Sequence, residues 1–176
     1  GKLRPRQGTR GVGDPGPVDL HIDLSDTVAL YCVQQAPDDP PSVVCSAMTI
    51  YNEIIRQHPE WLPRLERGFI WDRAGEELSG ESEVSDYLVP AFSETEGIVS
   101  CRFHATWIRK GLARIDARLS DDEEMIFNFI RDVSNANSFA FPLHEGDIAI
   151  CNNYTVCHGR ASHEPIADEG CKRILM

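Results

Sequence analysis

The sequence predicts a mainly β domain with helical insertions, a β-sandwich or jelly roll. Three observations point there. Short apolar segments of about four to eight residues recur along the chain, bounded by Gly, Pro, Asn and Asp. Only two stretches hold a helical period long enough to be read as insertions. No internal repeat is visible that would indicate a solenoid or propeller.

The elements follow in order. Residues 1–19 are rich in Gly, Pro and Arg without a period, and are expected to form a loop or an incomplete edge. Leu20 to Asp23 alternates like a short strand; Val28 to Gln34 and Ser42 to Cys45 read as a second and a third. A helix is expected from Ser46, a good capping residue, with Ile50, Tyr51, Ile54 and Ile55 as its apolar face. Pro59 opens a second helical piece, because proline suits a first helical turn. Phe69 to Asp72 returns to extended structure, and the acidic stretch Gly75 to Ser85 reads as a solvent-facing loop. Tyr87 to Phe92 and Ile98 to Phe103 are expected strands joined by S-E-T-E-G. Ser120 with Glu123 is a capping box, and Asp121 and Asp122 complement the helix dipole. Met125, Ile126, Phe129, Ile130 and Val133 form the stripe that this helix should bury, with Asn135 near its end. Phe139 to Pro142, the G-D-I-A-I-C strand, an N-N turn, the H-G-R strand and Lys172 to Met176 complete the chain.

Composition narrows the function classes. The 176 residues, 41% of them hydrophobic, suffice for one domain with a sizeable core. A net charge of −11 argues against a nucleic-acid surface, which needs basic groups to displace counterions. No apolar run approaches the length of a membrane span, and no apolar segment follows the basic residues 2–10 as a secretory signal would require. The six cysteines (Cys32, Cys45, Cys101, Cys151, Cys157, Cys171) lie in apolar, strand-like contexts without a C-x-x-C pair. Buried free thiols and a reducing, cytoplasmic setting are the expectation.

His21 and Asp23 sit two apart on the first expected strand, which would project both side chains from one face. Alone, the pair reads equally well as a polar patch on an open strand. Adding a distant histidine yields two imidazoles and one carboxylate, the facial triad that leaves half of an octahedron open to ligands. A structural zinc site would instead close with four protein ligands.

The segments H-I-D (21–23), S-V-V-C-S-A-M-T-I-Y-N-E-I (42–54), G-D-I-A-I-C-N-N-Y-T-V-C-H-G-R (146–160) and K-R-I-L-M (172–176) resemble the TauD/TfdA family of iron(II)- and 2-oxoglutarate-dependent dioxygenases. The match runs in order from about residue 20 to the end, and the G-D-I to H-G-R block is its most specific part. The resemblance implies a double-stranded β-helix, with residues 1–176 as a single domain whose catalytic core is 20–176. It implies His21, Asp23 and His158 as iron ligands and Arg173 as the guanidinium that takes the far carboxylate of 2-oxoglutarate. Ser42 falls where the family commonly has a threonine bonded to the same carboxylate.

His163 rivals His158 as the distal ligand, but A-S-H-E-P reads as a loop; His58, His104 and His144 read as surface or packing residues. Cys157 should point away from His158 into the core, and Lys172 away from Arg173. Arg160 and Asn153 could brace the site or serve structure alone, while Arg102 reads better as a surface salt bridge than as a substrate contact.

The implied reaction couples conversion of 2-oxoglutarate and O2 to succinate and CO2 with oxidation of an unactivated C–H bond. The substrate would be a small molecule: amino-acid-like, a carboxylate or a natural-product intermediate. Asp23 favours hydroxylation over halogenation, which would need a small residue in its place. The alternatives are a non-redox metal-binding jelly roll and a zinc or manganese hydrolase or isomerase on the same ligands. Only twenty residues precede His21, fewer than the family usually has, so an N-terminally incomplete record is expected. A homo-oligomer is left open.

Overall fold

The computed structural model describes residues 17–36, 41–73, 75, 77–162 and 173–176. It is a jelly-roll-like β framework carrying helices. Nine short strands are described among these residues: β1 Val18–His21, β2 Thr27–Gln34, β3 Ser42–Ser46, β4 Phe92–Thr95, β5 Ile98–Cys101, β6 Phe139–Phe141, β7 Ile148–Asn152, β8 Val156–Arg160 and β9 Ile174–Leu175. The helices are α1 Ala47–Gln57, α2 Leu62–Arg67, α3 Ala105–Arg114 and α4 Asp121–Ala136, with a 3₁₀ turn at Pro59–Trp61 before α2.

β1, β8, β3 and β6 form one sheet in that order, β7, β2 and β9 a second, and β4–β5 a hairpin. All their pairings are antiparallel. Consecutive strands therefore switch repeatedly between the two sheets, and two of these switches run from β1 to β2 and from β7 to β8. The two connections lie together, because the Asn153 N–H donates to the Asp26 carbonyl at 3.0 Å.

Cys45 and Cys157 are paired across β3 and β8 and both are buried in the core, so the opposite face carries Ser42, Val44, His158 and Arg160. α1 and α4 pack on this sheet. Ile126, Phe127 and Ile130 of α4 are almost fully buried, each burial being worth about 1.5–3 kcal/mol relative to exposure. The capping box at Ser120 is present, with Glu123 closing it back onto the Ser120 N–H. Arg64 of α2 donates to the Glu123 carboxylate at 2.6 Å, tying the two helices. Among the described cysteines, Cys32, Cys45, Cys101 and Cys157 are buried free thiols and Cys151 is a half-buried one; Cys171 lies outside the described residues.

Several expectations need correction. β1 begins at Val18 and ends at His21, so Asp23 is not on the strand. Ile22 is fully buried and its N–H donates to the Phe103 carbonyl at 2.8 Å, which draws the chain out of the sheet there. Ser46 stands at the α1 cap position without a capping side-chain bond, and Ile55 is exposed while Ala47 is buried instead. On α4, Met125 faces solvent and Phe127 takes the core position. Of the expected strand Tyr87 to Phe92, Val89 makes an isolated bridge with Phe69 and Phe92 opens β4; the rest is not strand. β4 instead occupies residues assigned to the turn, which shrinks to Glu96–Gly97, both at positive φ as a two-residue hairpin requires. α3 was not anticipated: it lacks a side-chain cap, and Gly111 interrupts its period. The glycine is there for space, since a Cβ would stand 2.6 Å from the Trp71 and Asp72 backbone.

Residues 1–16, His163 and Lys172 lie outside the described residues. Among those described, no helix is long and apolar enough to cross a membrane.

Candidate metal centre

The site forms where β1 meets β8. His21 and His158 are direct partners across this pair, with ring centroids 4.5 Å apart. Val18 pairs with Arg160, so β1 spends three steps where β8 spends two, and the surplus is a bulge at Asp19–Leu20. The bulge aims the Asp19 carbonyl at His21 Nδ1, 2.7 Å away. A carbonyl can only accept, so Nδ1 carries the proton and Nε2 presents its lone pair. That is the tautomer a metal ligand needs.

Asp23 reaches the same point from the β1–β2 connection. Its carboxylate oxygens lie 3.7 Å from His21 Nε2 and 3.4 Å from His158 Nε2. One ligand atom from each of the three residues falls within 4.8 Å of the other two. The hydrogen bond to His158 holds the Asp23 carboxyl down to about 2; burial opposes this, and the His21 imidazole adds to the lowering. Asp23 is therefore an anion at neutral pH. Burial lowers the His21 pKa, with a further push from His158, so that imidazole is neutral. Two imidazoles and one carboxylate offer three donor groups with one anion among them, a set suited to a divalent cation with open positions. His158 Nδ1 is buried without a hydrogen-bond partner, and the bond to Asp23 comes from Nε2, the atom that would give up its proton on binding a metal.

Ser42 and Arg173 lie together: Arg173 Nη2 donates to Ser42 Oγ at 3.0 Å. Ser42 lies two residues from Val44, the cross-strand partner of His158, and on the same face. The hydroxyl–guanidinium pair thus sits about 7 Å along the sheet from the distal histidine.

His104 is the feature that sequence reasoning undervalued. It packs, as anticipated, but against the site itself, with its ring 4.2 Å from that of His21. Trp71 and Trp107 enclose it on other sides. Burial, reinforced by the charge it would place beside His21, pushes its pKa down to about 2, so it is a neutral wall. The only available signal was its place directly ahead of an uncapped helix, which is too weak to single it out. Arg102 makes an ion pair, as expected, with Asp26, but not as a surface group. Its side chain is only 17% exposed, and besides a 3.5 Å contact with Asp26 it donates to three backbone carbonyls. His58 stacks on Trp61, and His144 is exposed beside Asp147, both as expected.

A jelly-roll-like frame on which two histidines and a carboxylate converge defines a class: jelly-roll proteins with a candidate facial-triad centre. The chain belongs to the TauD/TfdA family. Residues 4–176 match the family model described as "Taurine catabolism dioxygenase TauD, TfdA family". It is 28% identical over 151 residues to FR-33289 synthase of Streptomyces rubellomurinus, covering 84% of this chain and 44% of that protein. It is 24% identical over 161 residues to the taurine hydroxylase-like protein SAT17 of Stachybotrys chartarum, covering 89% and 40% respectively. The chain thus spans less than half the length of these curated relatives. Among solved structures it superposes on an asparagine oxygenase in complex with Fe(II), 2S,3S-3-hydroxyasparagine and succinate, with TM-score 0.68 at 14% identity, covering 94% of this chain and 52% of that one. The non-heme iron oxygenase OrfP with Fe and alpha-ketoglutaric acid matches at TM-score 0.57 and 17% identity, covering 86% and 43%. These likenesses establish the shared fold.

Proposed function

We propose that this chain forms the catalytic domain of an iron(II)- and 2-oxoglutarate-dependent dioxygenase. It would oxidise, and in the simplest case hydroxylate, an unactivated C–H bond of a small molecule, with 2-oxoglutarate and O2 converted to succinate and CO2. The observation that carries this reading is the convergence of His21, Asp23 and His158 on one point beside the Ser42–Arg173 pair. A structural metal site does not need a cosubstrate arginine; metal content and oxygen dependence separate this reading from a zinc or manganese enzyme on the same ligands.

The residues fit the cofactor. His21 Nε2, an Asp23 oxygen and His158 Nε2 would hold Fe(II), and three donors leave room for a chelating cosubstrate and oxygen. Bound iron would supply the redox chemistry that activates O2. The protein's share is placement and charge. The Asp19 carbonyl orients His21, and Asp23 supplies the anionic donor. Arg173, planar and permanently charged, would take the distal carboxylate of 2-oxoglutarate, with Ser42 donating beside it. The His104 ring covers one side of His21 and is itself packed by Trp71 and Trp107.

Some solved relatives hold hydroxyasparagine or hydroxyarginine, so amino acids and amino-acid-derived intermediates are the first substrates to try. The test is anaerobic addition of Fe(II) and 2-oxoglutarate, which should produce a weak visible charge-transfer band absent from His158→Ala. A screen for substrate-stimulated succinate release then identifies the substrate. A folded, iron-loaded protein with no band contradicts the proposal.

A further inference from the structure

The three ligands do not share a support. His21 and His158 are held in a hydrogen-bonded strand pair, whereas Asp23 hangs on the connection between β1 and β2. A carboxylate on a loop is a poor ligand unless the loop is fixed, because ordering it at binding would subtract from the affinity.

The loop is fixed from behind by two side chains aimed at the same backbone carbonyls. Asn153 Nδ2 donates to the Asp23 carbonyl at 3.3 Å and to Ser25 O and Oγ at 2.9 and 3.1 Å. Arg102 Nη1 lies 3.2 Å from the Asp23 carbonyl and 3.0 Å from that of Ser25. It also donates to the Asn153 carbonyl at 2.9 Å, which joins the two clamping residues to each other. The Arg102 guanidinium lies 4.0 Å over the Tyr154 ring, and the Tyr154 hydroxyl donates to the Asp26 carboxylate. Asn153 is fully buried, so water does not compete for these bonds. Asn153 belongs to the turn that launches β8 and therefore His158; Arg102 directly follows β5. Three segments distant in sequence are thus bolted together at the backbone of one ligand.

We propose that Arg102 and Asn153 are positioning residues for the metal centre, holding the Asp23 loop at a set distance from the strand that carries His158. They touch neither metal nor substrate and act through the Asp23 backbone. This rests on the metal-centre reading above and adds to it the device that orders the third ligand in the absence of metal.

The test is Mn(II) affinity, read from the loss of the free-ion electron paramagnetic resonance signal, for the wild-type protein and for Asn153→Ala, Arg102→Gln, Arg102→Lys and Arg64→Ala. Asn153→Ala and Arg102→Gln should bind Mn(II) about 10- to 100-fold more weakly, the range found when a group orienting a ligand is removed. Arg102→Lys keeps the charge without the fork and should fall between them and wild type. Arg64→Ala breaks the α2–α4 ion pair far along the chain from the loop; it should lower the melting temperature and leave Mn(II) affinity unchanged. Folded Asn153→Ala and Arg102→Gln proteins with affinities within about twofold of wild type overturn the proposal. So does an equal loss in Arg64→Ala, which would mark the effect as general destabilisation. If the two deletions do not fold, Arg102→Lys decides: wild-type affinity there overturns the proposal, and weakened affinity in a folded protein supports it. Wild-type protein that binds no Mn(II) overturns the metal-centre reading, and the clamp with it; binding that is equal in every clamp variant overturns the clamp alone.

Discussion

Gly159→Ala should damage the metal centre without touching a ligand. Gly159 follows His158 on β8, and its backbone has no need of a left-handed conformation. What it provides is clearance. A Cβ there would stand 2.5 Å from the Val18 carbonyl oxygen and 3.3 Å from the carbonyl of Asp19. The obstruction is backbone, so no side chain can swing aside. β1 must retreat by about 0.9 Å, the shortfall against the 3.4 Å at which ordinary contact begins. If the bulge retreats alone, the Asp19–His21 bond, now 2.7 Å, stretches beyond hydrogen-bond range. If the whole strand retreats, His21 moves away from His158. Either path removes one restraint on the proximal ligand. Overpacking of this kind costs about 1–3 kcal/mol, which for a chain of this size lowers the melting temperature by roughly 2–12 °C. Loss of a group orienting a metal ligand should weaken metal binding about 10- to 100-fold. Thermal unfolding and Mn(II) titration measure the two effects separately. A Gly159→Ala protein that matches wild type in both would refute the reasoning, because the close approach of β1 and β8 could then not be real.

Two further outcomes can be checked. Although burial opposes it, the Ser120 N–H and the Arg64 guanidinium hold the Glu123 carboxyl below its ordinary value of 4.5. A depressed carboxylate contributes stability that is complete above its unfolded value and is lost as pH falls through the lower folded one. Glu123→Gln should therefore cost about 1 kcal/mol at pH 7 and progressively less below pH ~4.5, seen as melting curves that converge in acid; a deficit independent of pH would contradict this. At the proposed cosubstrate site, Arg173→Lys should weaken 2-oxoglutarate binding by about 10-fold or more with Mn(II) affinity intact, and Ser42→Ala should do so by only a few-fold. Titrating 2-oxoglutarate into the metal-loaded protein and following absorbance gives both values, and a loss of metal binding in either variant would argue against the assigned role.

The candidate ligands were legible in the sequence because chemistry restricts which residues can serve. Only a few residue types bind iron or a carboxylate, and their order in H-I-D, H-G-R and K-R-I survives as a pattern. Strand β8 and helix α4 were legible for a related reason: alternation and a capping box are local properties written in consecutive residues. Asp23 was assigned to a strand because the same local rule cannot see that Ile22 is claimed by the core and by the Phe103 carbonyl. α3 was missed because its one informative residue, Gly111, answers to the Trp71–Asp72 backbone rather than to its own helix.

The rest belongs to the tertiary structure. The His21 tautomer depends on a carbonyl turned by a bulge, and every residue has a carbonyl, so no letter marks Asp19 for that task. The value of Gly159 lies in its distance from Val18, about 140 positions earlier in the chain. Arg102 looked like a surface charge until the fold set it against the carbonyls of Asp23 and Ser25. The sequence by itself determined which side chains are the candidates to carry the chemistry. Their distances, tautomer and support were decided where separate strands meet, because backbone groups and clearances acquire meaning only when the chain returns on itself.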